Sequence, residues 1–264
     1  MHKLLIIFHF LLASVSLNAQ ETCDIKKIPF EVGEKLRYEI YYNWGKLWVN
    51  SGYAEFRIER DTLRGKRYYH LIGEGSTYKR YDWIFKVRDR FDSYVDTTSL
   101  QPHRFIRNVR EGKTRIYYDY VFNYKHNRAY VISPGDENPK VDTVNLKPCA
   151  FDVLSAIYYV RTMDFESLKV HDTIPLTFIL DKEIHHSYVR YGGKETLTLK
   201  DGSEYETLKF SPYLIEGTIF EGGEEMTVWV TDDKNRTPVY IESKILVGSI
   251  KVYLSEQSNV NDSD

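Results

Sequence analysis

Hydrophobic residues recur at every second position along most of this chain. That period places alternate side chains on opposite faces of a strand and argues against a helical bundle. In 35–43, Leu36, Tyr38, Ile40 and Tyr42 share one face, and Lys35, Arg37, Glu39 and Tyr41 share the other. Ala54, Phe56 and Ile58 stand against Glu55, Arg57 and Glu59, and Ile116, Tyr118, Tyr120 and Phe122 against Arg115 and Asp119. The same reading sets Leu176, Phe178, Leu180 and Ile184 against Asp181, Glu183 and His185. One wet face per strand is the habit of antiparallel sheets, because parallel strands are usually covered on both sides. Turn signals such as Glu111-Gly112, Gly192-Gly193, Asp201-Gly202 and Gly222-Gly223 separate the runs, so successive strands should be joined as hairpins. The 22 Tyr, 13 Phe and 4 Trp fit a pleated surface.

One segment departs from this period. Val153, Ala156, Ile157 and Val160 fall at helical spacing, which predicts a helix over about 151–163. Pro148 and Asp152 suit its first turn, and Arg161 suits the cationic preference of its last. Leu154 and Tyr158 widen the apolar surface, so the helix should be buried on more than one side. The expected fold is therefore mainly β: a strongly curved antiparallel sheet or half-open barrel, with this one apolar helix packed on the concave face.

At the N-terminus, Lys3 is followed by an apolar run from Leu4 to Ala13 and the small-residue stretch Ser14 to Ala19. This is the order of a secretory signal, and the run is shorter than the ~20 residues that span a bilayer. The expected organisation is a signal peptide at 1–19, a single β-rich domain at 20–254 and a flexible polar tail at 255–264, with a periplasmic or secreted location. No later segment has the unbroken apolar length of a membrane helix. A formal charge of −2 argues against a nucleic-acid or anionic-membrane partner. In an oxidising compartment the two cysteines, Cys23 and Cys149, should pair as a disulfide, two separate thiols being the alternative.

Chemistry-bearing patterns are weak. Asp181, Glu183 and His185 could share a strand face, but about 7 Å between i and i+2 Cα atoms is too long for a compact cation site, so no metal or other cofactor is expected. Arg88-Asp89-Arg90-Phe91-Asp92 reads as cross-strand ion pairing. No Gly-x-Ser-x-Gly elbow, His-Glu-x-x-His or cysteine-protease signature is present, and no catalytic residue can be named. Trp44, Trp48, Trp83 and Trp229 could stack on sugars if exposed, although large aromatics are usually buried.

Several motifs in order resemble the domain-of-unknown-function 3108 family. They are Phe30-Glu31-Val32-Gly33-Glu34-Lys35-Leu36-Arg37-Tyr38 with Tyr41-Tyr42-Asn43-Trp44-Gly45, then Val87-Arg88-Asp89-Arg90-Phe91, then Phe151-Asp152-Val153-Leu154-Ser155-Ala156. Met226-Thr227-Val228-Trp229-Val230-Thr231-Asp232-Asp233 and Arg236-Thr237-Pro238-Val239 complete the set. The resemblance runs from about Phe30 to Leu254 and implies a secreted or periplasmic bacterial protein. It carries no assigned activity. A curved sheet with a helix on its concave side also looks like the periplasmic carriers of lipoproteins, a likeness of fold alone. The leading expectation is a non-catalytic binding or carrier protein for an apolar or acyl-bearing envelope ligand, with Phe151, Leu154, Ile157 and Tyr158 lining the ligand trough. An envelope enzyme acting on glycans or cell-wall polymers and a protein-binding scaffold are the alternatives.

Overall fold

In the computed structural model the described residues are 23, 25, 27–44, 47–63, 65–216, 222–245 and 248–259. The expected leader at 1–19 and residues 260–264 lie outside them. Eight strands precede the helix region: β1 (Lys35–Trp44), β2 (Leu47–Leu63), β3 (Lys66–Thr77), β4 (Arg88–Asp96), β5 (Pro102–Glu111), β6 (Thr114–Asn123), β7 (Arg128–Ser133) and β8 (Lys140–Asn145). A short strand β9 (Ala150–Asp152) leads directly into the helix α1 (Val153–Arg161). Six strands follow: β10 (Thr173–Leu180), β11 (Glu183–Thr198), β12 (Glu204–Pro212), β13 (Met226–Thr231), β14 (Pro238–Lys244) and β15 (Ser249–Ser258).

All fifteen strands join one sheet in the order β8-β7-β6-β5-β4-β3-β2-β1-β15-β14-β13-β12-β11-β10-β9. Each pairs with its sequence neighbour, β15 closes back on β1, and every pairing is antiparallel except β9 with β10. Alternation along the chain thus becomes a mainly β, strongly curved and unclosed sheet whose single opening falls between β8 and β9. The β9–β10 edge packs against residues from the other end of the sheet. Tyr124 donates to the Ala150 carbonyl at 3.2 Å, Arg107 pairs with Asp181, and Lys182 pairs with Asp142 at 2.7 Å.

The hairpin between β10 and β11 corrects one reading of the sequence. Asp181 and Lys182 have φ of 48° and 70°, the two positive values of a two-residue hairpin turn. Leu180 therefore opposes Glu183, Ile179 opposes Ile184 and Phe178 opposes His185. Ile184 thus lies on the face opposite Leu176, Phe178 and Leu180, and the row Asp181, Glu183, His185 does not exist. Among the described residues no group of three His, Cys, Asp or Glu side chains gathers as a cation site. The tail is corrected too. β15 continues to Ser258, with Glu256, Gln257 and Ser258 paired to β1, because a ladder needs only backbone groups and tolerates polar side chains.

Three core clusters divide the interior among the described residues, the smallest being Leu36, Tyr38 and Val252 on β1 and β15. The largest joins Ile58, Leu71, Val95, Phe105, Tyr120 and Val131 of β2–β7 to Phe151, Leu154 and Ile179. The second joins Phe165, Ile174, Val189, Tyr191, Phe210 and Val230. Cys23 and Cys149 are disulfide-bonded with Cα atoms 5.4 Å apart, tying the N-terminal arm beside β9. On the outside, the polar face of β1–β4 is laced by ion pairs. Glu55 meets Lys35, Arg37 and Arg57, and Arg90 bridges Glu74 and Asp92, as the alternating charges of 88–92 lead one to expect.

Asp152 starts the helix. Its carboxylate accepts from the amides of Leu154 and Ser155 at 2.9 Å, and Ser155 Oγ accepts from the Asp152 amide at 3.0 Å, which completes a capping box. Ser93 on β4 donates to the same carboxylate at 2.5 Å and fixes the helix start against the sheet. Burial pushes the Asp152 carboxyl up to about 6 despite these donors. The folded chain therefore holds a proton that the unfolded chain has released between about pH 4 and 6. The stability contributed by protonation is full below about pH 4 and falls, by on the order of 3 kcal/mol, to a floor above pH 6. Asp152→Asn keeps an acceptor for the cap but removes the titration. Urea melts should show the variant gaining on the wild type as pH rises from 4 to 7; a constant difference would contradict this assignment.

Candidate functional site

A nine-residue helix inside a fifteen-stranded sheet cannot meet every inward side chain. The way α1 is held decides which strands it leaves uncovered. Leu154 packs on β3 where Gly73 stands, and a Cβ there would touch Leu154 Cδ1 and Phe56 Cε1 at 3.4 Å. Glycine thus lets the helix approach the sheet on this side. Phe151 stacks on Tyr159 with ring centroids 4.3 Å apart.

The C-terminal end of α1 is fixed by a charge. Arg161 forms a bidentate pair with Glu34, at 2.6 and 2.8 Å, and donates to the Asn235 carbonyl at 2.9 Å. Both side chains are almost wholly buried, at 4% and 1% exposure. Burial disfavours the Arg161 charge, yet the Glu34 carboxylate outweighs it and holds the guanidinium pKa above its ordinary value. The Phe30 and Tyr158 rings lie 5.2 and 5.5 Å from the guanidinium carbon. Arg236 donates to the carbonyls of Arg161 and Met163 and so caps the open end of the helix.

α1 packs against β3, β4, β9 and β10, and a cavity of about 450 Å³ remains between its other face and residues of β1, β2 and β10–β14. The helix contributes Val153, Ala156, Ile157, Tyr158 and Val160. Opposite stand Leu36 and Tyr38 of β1, Leu176 and Phe178 of β10, and Met226 and Val228 of β13. No Asp, Glu, His or Cys is among the described lining residues. The ionisable groups are tyrosines together with Arg161 and Arg236. Tyr38 donates to the Pro238 carbonyl at 2.9 Å, and burial pushes its hydroxyl pKa well up. The wall therefore offers apolar burial with two guanidinium groups at one end.

Strand direction locates that end. The β2–β3, β4–β5, β11–β12 and β13–β14 turns lie at one end of the sheet, here the lower, together with Glu34, Arg161, Arg236 and the Phe165 core cluster. The β1–β2, β3–β4, β5–β6, β12–β13 and β14–β15 connections lie at the upper end. Leu180, Tyr213, Leu214 and Ile215 line the cavity there.

Of the four residues singled out on the helix, the structure brings Ile157 and Tyr158 to the cavity and places Phe151 and Leu154 elsewhere. Phe151 is 1% and Leu154 3% exposed within the largest core, whereas Ile157 is 48% exposed at the cavity. Helical spacing marks an apolar surface but not which side of it meets the sheet. The opposite wall was missed as a site, although its signal was present in the alternation of Leu36 with Tyr38 and of Leu176 with Phe178. None of Trp48, Trp83 and Trp229 lines the cavity. Trp229 donates to Glu195, and Trp48 lies under Lys251, whose Nζ is 4.9 Å from its ring centroid. These positions predict opposite outcomes for two truncations. Leu154→Ala should cost about 2–5 kcal/mol through the void it opens, and Ile157→Ala under about 1.5 kcal/mol, since the space beside it is already empty. Chemical denaturation of both variants decides it: equal losses would contradict the division of the interior.

The comparisons with known proteins follow the same outline. A solved structure similar to this chain is the crystal structure of a beta-barrel-like protein of domain of unknown function DUF1849 from Brucella abortus. It has a TM-score of 0.56 and 10% sequence identity, and the match covers 87% of this chain and 98% of that one. The likeness shows the fold. No curated protein matches the chain. The family model described as "Protein of unknown function (DUF3108)" matches residues 37–255, from the second residue past the start of β1 almost to the end of β15, and the chain belongs to that family.

Proposed function

We propose that this protein is a non-catalytic binding or carrier protein of the bacterial cell envelope, and that it holds an apolar or acyl-bearing ligand between α1 and the β10–β14 side of the sheet. The observation that carries the reading is the cavity itself. At about 450 Å³ it falls within the ~300–1,000 Å³ of ordinary ligand pockets, and its described lining is almost wholly apolar. A scaffold needs only a dry, filled interior. An enzyme acting on glycans needs a pair of carboxylates and exposed donors at the substrate. The lining supplies a trough instead, with Arg161 and Arg236 at its floor.

One further observation supports the envelope as its location: the Cys23–Cys149 bond fits an oxidising compartment. The signal expected at 1–19 agrees with it.

Native mass spectrometry of the protein purified from its own envelope should find adducts whose masses match acyl-bearing molecules. Addition of a long-chain fatty acid at about 100 times its dissociation constant should raise the unfolding free energy by about 2.7 kcal/mol. Val228→Trp fills the trough from β13 and should abolish that gain while leaving the unliganded protein folded. A bare polypeptide mass, together with melts indifferent to the fatty acid, would overturn the reading.

A further inference from the structure

The upper end of the sheet carries a second feature that the cavity does not explain. The connection between β3 and β4 ends in Trp83-Ile84-Phe85, exposed at 79%, 44% and 46%. Single exposed apolar side chains are ordinary, but three in succession at the tip of a loop leave a contiguous apolar patch facing water. Leu47, on the neighbouring β1–β2 hairpin, is 71% exposed at the same end.

The loop is firmly built. Ile84 donates its amide to the Tyr81 carbonyl at 2.9 Å, and Arg88 donates to Asp82 at 2.7 Å. Thr77 Oγ1 donates to Asp82 at 2.9 Å, and the Gly112 amide donates to the Lys86 carbonyl at 2.8 Å. Phe85 lies against the β5–β6 turn at Gly112, where a Cβ would come within 2.9 Å of its ring. A fixed scaffold therefore presents the Trp83 indole outward.

Charge identifies what the patch fits. Segments 79–88 and 110–115 hold seven Lys and Arg against two Asp and Glu, in a chain whose formal charge is −2. Of the two acids, Asp82 is paired with Arg88 and Glu111 is buried. Lys79, Arg80, Lys86, Arg110, Lys113 and Arg115 are exposed around the tip. Arg110 and Arg115 stand directly opposite each other across β5 and β6, a like-charge pairing that works against the fold. An indole and neighbouring apolar side chains ringed by cations match the interface of a bilayer with anionic headgroups. There the ring sits at headgroup depth and the cations meet phosphate.

We infer that the 83–85 tip, with its surrounding cations, is a docking surface for an anionic lipid bilayer. It lies at the same end as Leu180, Tyr213, Leu214 and Ile215 of the cavity lining, so a docked molecule turns that end of the trough towards the lipid. The docking does not depend on what the trough holds, and it can be measured without ligand.

Flotation of the purified protein with vesicles tests it. Vesicles of phosphatidylethanolamine and phosphatidylglycerol should carry the protein upward; vesicles of phosphatidylcholine alone should carry much less, and added salt should release it. Trp83→Ser should weaken the partitioning by roughly tenfold or more, and Lys86→Glu with Lys113→Glu by a similar factor. Melts identical to wild type would show these exposed substitutions leave the fold intact. Absence of flotation, equal affinity for both vesicle types, or full binding by Trp83→Ser would overturn the inference. A self-association that Trp83→Ser dissolves, with no vesicle binding, would assign the patch to a second copy of the chain and overturn it as well.

Discussion

The inner face of a sheet of fifteen strands presents more apolar surface than a helix of nine residues, about 14 Å long, can cover. Every main feature of this protein follows from how that shortfall is distributed. The β9–β10 edge supplies further packing, with Ile179 joining Phe105, Tyr120 and Val131 in one core. Gly73 brings Leu154 close on the β3 side, and Ser93 pins the helix start through Asp152. The opposite half of the interior holds the Phe165 cluster and the small Leu36–Tyr38–Val252 cluster but no helix, and the unfilled volume lies there beside α1.

The buried Glu34–Arg161 pair holds this asymmetry in place. It links the segment just before β1 to the last turn of α1 across 127 positions of sequence. Such a pair gives little net stability, because desolvating two charges offsets much of their attraction; breaking it, however, leaves a bare charge in the core. Its effect is on position. With Arg236 on the terminal carbonyls, the pair closes the lower end of the trough with charged groups, the Arg161 guanidinium bonded through Nη1 and Nη2 while its Nε has no partner among the described residues. The wall above them is left apolar. A lining of this composition suits the burial of hydrocarbon, and no Asp, Glu, His or Cys is among its described residues.

Much of the fold was legible because it rests on local period. The alternation of Leu36 with Tyr38 and of Tyr118 with Tyr120 selects strands, and Val153, Ala156, Ile157 and Val160 select the one helix. The Cys23–Cys149 bond followed from there being two cysteines to pair, and the family resemblance from motifs spread along the chain. What was not legible depends on partners far away in sequence. Whether Leu154 or Ile157 faces the packed half is decided by Gly73 and Glu34, not by helical spacing. Asp181 and Lys182 read as a continuing strand because Asp181 suits a positive φ but Lys182 stands where such a turn usually has glycine, although the hairpin there reverses the facing of Ile184. Ser255 to Ser258 read as a loose tail because their ladder partner is β1, more than 200 residues earlier.

The central claim is that α1 separates a packed half of the interior from an open apolar one. Paramagnetic broadening of methyl resonances by a spin-labelled fatty acid tests it most directly. Methyls of Ile157, Val228, Met226 and Leu176 should broaden at low ligand ratios, while those of Leu71, Val131 and Leu154 stay sharp. Uniform broadening across both sets, or none in either, would contradict the account.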